Sequence, residues 1–306
     1  MSRARRQRAK GSSFTKYLAA SYAESTTAAY AADVAHFKRW GGRIPSTENQ
    51  VARYVAAFAG TLAHATLARR LAGLHREHQA RGLRSPVRSE LVRKTMKGVA
   101  RVYLRKQRKA KPILKEHLAA MVRTMRGFRG ARDRALMLVG FMGGFRSAEL
   151  VALNVDDVEF AREGMVINVR RSKTDQEGSG RSVQVPKLRG PLCAVRALRA
   201  WLDVAEIEEG ALFRGINRHG SLSVKRLTRE AVGGLVKAYV GRIGLAASGF
   251  SSHSLRAGLV TSAAKAGAAA WQIRTTTGHK SDAVLAGYIR ESGRFTNNVA
   301  KMIFAN

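Results

Sequence analysis

Cysteine is nearly missing from this chain of 306 residues: Cys193, in the stretch PLCAVRAL, is the only one. A single thiol can neither close an internal disulfide nor supply a cysteine-based zinc site, so its expected role is small-residue packing. Acidic side chains are scarce too, 21 Asp+Glu against 55 Lys+Arg, which leaves a net charge of +34. No convincing cluster of carboxylates or thiols is available to hold a metal ion. No run of about 18 apolar residues exists to span a bilayer. The basic start MSRARRQRAK is not followed by the apolar segment of a secretory signal. A Walker-type GxxxxGKS/T sequence is also missing, so nothing points to ATP-driven chemistry. These gaps lead to the expectation of a cytoplasmic protein, of the prokaryotic cytoplasm or nucleoid, with no cofactor and no membrane partner.

What is present starts with ordinary hydrophobicity. A content of 45% suits a globular protein, and the length suits two domains with sizeable cores. The cationic excess calls for a polyanion, and nucleic acid is a better fit than a membrane surface.

Along the chain, residues 1–12 read as a disordered basic arm. Residues 13–108 carry helical periodicity throughout. Tyr30, Val34, Phe37 and Trp40 share one stripe, stopped by Gly41-Gly42. Thr47 and Gln50 suit a capping box ahead of Val51, Val55, Phe58 and Leu62. Leu67, Leu71 and Leu74 mark a third helix that ends near Gly82, and Ser85-Pro86 opens a fourth with Val87, Leu91 and Val99 inward. Together they form a small bundle. Residues 91–115 then hold ten Lys/Arg and no acid. The domain joint is placed in this run, near Pro112, and Arg101, Arg105, Lys106, Arg108, Lys109 and Lys111 are expected on a phosphate backbone. Residues 109–306 are mixed: helices at about 116–126 and 131–143, strands at 158–160, 165–169 and 182–185, a polar hairpin turn over 170–181, then helices near 191–204, 221–242 and 254–266. The expected class is mainly α, with a small antiparallel β-sheet in the second domain.

Chemistry-bearing residues gather late in the chain, between Gly249 and Arg290. His253 and Arg256 stand three apart in a helical pattern and so leave one helix face. His279 follows Gly278, and Tyr288 lies nine residues on, within reach of a helix that folds back. Two imidazoles, a guanidinium and a phenol make sense around a phosphodiester, where cations hold the negative charge while the phenol attacks. Upstream, Arg146 follows an apolar helix that would deliver it to a cleft, and Glu149 can brace it. Lys173 sits near the tip of the expected hairpin.

Taken as an ordered set, Arg146, Lys173, His253-x-x-Arg256, Gly278-His279 and Tyr288 resemble the signature of the tyrosine recombinases, the phage-integrase superfamily. The resemblance covers roughly residues 14–306 and is closest to simple Cre-like or Xer-like members, since the basic arm is too short for a separate arm-binding domain. It implies a helical core-binding domain over 13–108 and a catalytic domain over 109–306, closing as a C-shaped clamp on double-stranded DNA that carries specific recombination sites. It also implies metal-free chemistry: Tyr288 as nucleophile forming a 3′-phosphotyrosyl bond, Lys173 as general acid, His253 handling the phenolic proton, Arg146, Arg256 and His279 stabilising the phosphate, and Glu149 supporting them. The apolar stripe Phe295, Val299, Met302 and Ile303 implies a terminal helix that either packs at home or is traded around a homo-tetramer. Two other readings remain, a type IB topoisomerase-like nicking-closing enzyme and a non-catalytic basic DNA-binding protein.

Overall fold

The structure, a computed structural model, describes residues 24–103, 110–170, 180–279 and 287. The chain divides into two units, Met1–Arg108 and Lys109–Asn306.

Apolar side chains at helical spacing build the first unit. Helices α1 (Glu24–Arg39), α2 (Glu48–Ala57), α3 (His64–Ala80) and α4 (Glu90–Tyr103) bury Val34, Phe37, Val51, Tyr54, Val55, Leu67, Leu71, Leu74, Val92 and Val99 in one core. Thr47 caps α2 by accepting from the Gln50 N–H at 3.2 Å. The return arm of the expected capping box is not made, because Gln50 Oε1 accepts from the Arg43 N–H at 3.1 Å instead. The fourth helix also differs from expectation. Ser85-Pro86 opens only a short 3₁₀ turn, Pro86–Arg88, and α4 starts afresh where Ser89 Oγ accepts from the Val92 N–H at 3.3 Å. This register points Val92 and Val99 inward and leaves Leu91 38% exposed.

The second unit is organised around an apolar helix. Helix α5 (Lys115–Arg123) precedes α6 (Gly127–Met142), whose segment from Ala135 to Phe141 is buried throughout, and α7 (Ser147–Ala152) follows. Strands β1 (Val158–Phe160), β2 (Gly164–Val169) and β3 (Arg181–Pro186) form an antiparallel sheet in that order. Met165 pairs with Val185 and Ile167 with Val183, so the alternate residues Met165, Ile167, Val169, Val183 and Val185 enter the core together. Helix α8 (Ala194–Ala205) starts at Cys193, which is buried and accepts from the Leu188 N–H at 3.4 Å, a packing role. A hairpin of β4 (Arg214–Ile216) and β5 (Leu222–Arg226) leads to α9 (Arg229–Arg242), α10 (His253–Lys265) and α11 (Ala270–Thr277).

Two of these elements revise the sequence reading. The helix expected over 221–242 begins only at Arg229, because Asn217 Oδ1 accepts from the His219 and Ser221 N–H groups at 3.0 and 2.9 Å. That turn folds Leu222–Arg226 back as a strand, and Thr228 then caps α9 through the Ala231 N–H at 3.2 Å. Helix α11 adds an element that the sequence pattern does not mark. The basic arm 1–12, the hairpin tip with Lys173, and the segment with Tyr288 and the stripe Phe295, Val299, Met302 and Ile303 lie outside the described residues. Among the described residues no helix is long and apolar enough to cross a membrane.

Candidate active site

The chain reaches the site through a glycine whose replacement would strain the turn. Gly144 follows α6 with φ +56°, and a Cβ there would sit 2.8 Å from Thr277 Cγ2 and 2.9 Å from Leu259 Cδ2. The turn it permits places Arg146 at the start of α7. There the Arg146 N–H donates to Glu149 Oε2 at 3.0 Å, and its guanidinium donates to Oε1 at 2.6 Å. Glu149 is only 4% exposed and accepts a further bond from Arg181 Nη2 at 3.1 Å. Burial alone would raise its pKa. The hydrogen bonds from Arg146, with the charges of Arg181 and Arg146, outweigh burial and hold the carboxyl below its usual range. Each such charge-assisted bond contributes about 1.5–3 kcal/mol, enough to keep both guanidiniums oriented.

Arg256 approaches from α10. It is among the largest fully buried side chains, 1% exposed. Its Nη1 donates to the carbonyls of Gly144 at 2.7 Å and Thr277 at 2.6 Å, so one guanidinium ties the end of α6 to the end of α11. Helix α11 stops at Gly278, in the left-handed region at φ +65°, where a Cβ would lie 3.1 Å from Arg181. The next residue, His279, meets Thr277 Oγ1 through Nδ1 at 2.6 Å. His253 stands exposed at the first position of α10.

Both histidines sit in a cationic environment. Burial, followed by the charges of Arg256, Arg146, His253 and Arg181, pushes His279 down to about 4. Desolvation together with Arg256 and Arg146 also lowers His253. Both rings are therefore neutral at pH 7, and they stand among guanidiniums that Glu149 only partly balances. An arrangement of that kind binds an anion and can accept a proton from whatever attacks it. Among the described residues no group of His, Cys, Asp and Glu is placed to hold a metal ion.

Of the residues expected here, Arg146, Glu149, His253, Arg256 and His279 converge. Lys173 and Tyr288 lie outside the described residues. One participant escaped the sequence reading. Arg181, at the start of β3, bonds Glu149, donates to the Thr276 carbonyl, and lies 5.5 Å from the centre of the Phe145 ring. Its only sequence signal was its place at the foot of the polar hairpin, where a lone arginine is ordinarily solvated. Of the expected backbone contacts, Arg101 and Lys111 are exposed. Lys111 is anchored by its N–H, which donates to the Gly249 carbonyl at 2.8 Å. Arg105, Lys106, Arg108 and Lys109 are outside the described residues.

Comparison with known proteins agrees with this geometry. Residues 111–293 match the Phage integrase family. The chain is 35% identical to an integrase/recombinase XerD homolog of Selenomonas ruminantium over 295 residues, 93% of this chain and 86% of that protein. Among solved structures, a lambda integrase dimer bound to a COC′ core site superposes with a TM-score of 0.65 at 17% identity, covering 94% of this chain and 78% of that one. The XerH site-specific recombinase bound to a palindromic difH substrate, in its post-cleavage complex, gives 0.61 at 20% identity, covering 84% and 72%. A matched region that holds every converging residue, and a relative aligned along nearly the whole chain, lead to one conclusion: this chain belongs to the phage integrase family of tyrosine recombinases.

Proposed function

We propose that this protein is a site-specific DNA recombinase that cuts and rejoins duplex DNA through a 3′-phosphotyrosyl bond to Tyr288. The observation that carries the reading is the convergence of Arg146, Arg256, His253 and His279, with Arg146 held by the buried Glu149, in a chain of charge +34. In this scheme the Tyr288 oxygen attacks the scissile phosphorus, and the phenolic proton passes to His253, which is neutral and able to accept it. The bond from phosphorus to the 5′-oxygen breaks, and Lys173 protonates the departing oxygen. Arg146, Arg256 and His279 take up the charge growing on the non-bridging oxygens, while Glu149 keeps Arg146 aimed at them. A 5′-hydroxyl from the second duplex then attacks the phosphotyrosyl bond and releases Tyr288. The covalent link conserves the bond energy, so no nucleotide is consumed.

Two relatives in the fold comparison were captured on recombination-site DNA, which supports duplex DNA with specific sites as the partner here. Exposed cations such as Arg101 and Lys111 would contact the backbone in both units. Strand exchange between two sites calls for a homo-tetramer, and the apolar stripe from Phe295 to Ile303 is the segment offered for joining its members. A nicked suicide duplex tests the chemistry. An SDS-resistant protein–DNA adduct should form with the native chain and vanish in Tyr288→Phe. An adduct that persists in Tyr288→Phe defeats the assignment, and relaxation of any supercoiled plasmid by a monomer points instead to a topoisomerase.

A further inference from the structure

Thr277 takes part in none of the chemistry above, yet its hydroxyl stands between two groups that leave it no choice of proton. Thr277 is fully buried. Its Oγ1 lies 2.6 Å from the carbonyl oxygen of Ile273 and 2.6 Å from Nδ1 of His279. A carbonyl can only accept, so the single hydroxyl proton must point at Ile273. Were it turned toward His279, two acceptor oxygens would face each other at 2.6 Å with no proton between them. Oγ1 therefore accepts from the histidine, and Nδ1 carries the hydrogen. A neutral ring with Nδ1–H holds a lone pair at Nε2, the ring nitrogen left to meet a substrate.

We propose that Thr277 is a positioning residue that locks His279 as the Nδ1–H tautomer, so that Nε2 can donate to a phosphate oxygen only after taking up a proton. The inference rests on the recombinase reading for its substrate, but not for the tautomer. Among the described residues, the charged and titratable groups around the ring are Arg256 from α10, Arg146 ahead of α7, Arg181 from β3 and His253, with Glu149 bound to Arg146 and Arg181. These cations, with burial, keep the imidazole neutral in the protein by itself. A phosphodiester brought among them supplies the opposing charge, and His279 takes up a proton as the DNA arrives. Deprotonated, Nε2 would set a lone pair against the phosphate oxygen. Protonated, it makes a charge-assisted bond.

The test uses the full chain labelled with ¹⁵N-histidine and the variants Thr277→Val, which keeps the shape and loses the hydroxyl, and Thr277→Ser, which keeps the hydroxyl. Two-bond ¹H–¹⁵N spectra should show Nδ1–H at His279 in the native chain and in Thr277→Ser, and a shift to Nε2–H in Thr277→Val. A native His279 protonated at Nε2 overturns the proposal, and that spectrum decides it even if Thr277→Val does not fold. Adduct formation on the suicide duplex should fall about tenfold per pH unit above the pKa of His279 in the complex. In Thr277→Val, whose neutral ring can donate from Nε2, that decline should disappear. Parallel pH profiles for the two proteins would overturn the protonation step. Absence of any Tyr288-dependent adduct would sink the recombinase reading while the spectra still judged the tautomer.

Discussion

Both units bury a carboxylate among arginines, with histidine nearby, and they put it to opposite use. In the first unit Asp33 accepts from Arg69 at 2.9 Å, and Arg70 joins the His36 ring and the Tyr54 hydroxyl, at 2.8 and 3.1 Å. Burial wins there: it raises the Asp33 carboxyl above its usual range against the pull of Arg69, Arg70 and His36, and raises the Tyr54 phenol. In the second unit the arginines win, and Glu149 is held below its usual range. Tyr54 is fully buried in an aromatic cluster with Phe37, Trp40 and Phe58, and its phenol serves packing. Similar residue types thus make a strut in one unit and a charged receptacle in the other. What separates them is how much cationic charge remains: Asp33 faces Arg69 and Arg70, whereas Glu149 answers Arg146 and Arg181 and leaves Arg256 over.

The largest expected effect comes from displacing the guanidinium that carries that surplus. Arg256→Lys keeps a positive charge but loses the planar fork that spans the Gly144 and Thr277 carbonyls. It should lower adduct formation on the suicide duplex by about 10²–10³-fold, whereas Arg70→Lys in the first unit should leave the cleavage step itself unchanged. Equal losses in the two variants would erase the distinction.

Next comes the carboxylate pair. Glu149→Gln leaves two half-buried guanidiniums without a counter-charge and should cost about 3 kcal/mol in denaturant unfolding. Asp33→Asn should cost clearly less, because burial already favours the protonated form of that acid.

Acidification should separate the two carboxylates by sign. Glu149 contributes stability that is present above 4.5 and lost as pH falls through its lower folded value. His253 and His279 act in the same direction: both resist protonation when folded, so stability present above 6.5 drains away toward about 4 for His279. Asp33 does the reverse, since its folded carboxyl binds a proton more readily than the unfolded one and acid relieves its burial. Amide hydrogen exchange followed from pH 7 to 4 should loosen around His279 first, since around Asp33 the lowered His36 is opposed by the raised carboxyl, and loosening around Glu149 follows only below 4.5. Loosening that begins around Asp33 would contradict this balance.

The smallest effects belong to the exposed cations. Arg101→Ala in one unit and Lys111→Ala in the other should each weaken DNA binding equally on all sequences and reduce the salt slope by about one. A variant whose loss depends on sequence would be reading bases.

Most helices were legible because their apolar stripes follow one period, and the β1–β3 sheet because its alternation is strict and Gly-rich turns bound it. Leu91 misled because a 3₁₀ turn at Pro86–Arg88 reset the helical phase. The strand at Leu222–Arg226 misled because its partner lies across a turn that no periodicity reveals. In the site, Arg146, Glu149, His253, Arg256 and His279 could be named from spacing and from family resemblance. Arg181 could not, since it comes to Glu149 from 32 residues away in the chain.

Sequence by itself determined the composition of the site and its sign: a cationic chain with guanidiniums and imidazoles in an order suited to a phosphate. Tertiary structure alone decided the protonation states. Burying Glu149 against two arginines, seating Arg256 on two carbonyls and trapping the Thr277 hydroxyl between Ile273 and His279 are all distance effects. Electrostatic energies fall with separation and rise as water is excluded, and both quantities exist only once the chain has folded.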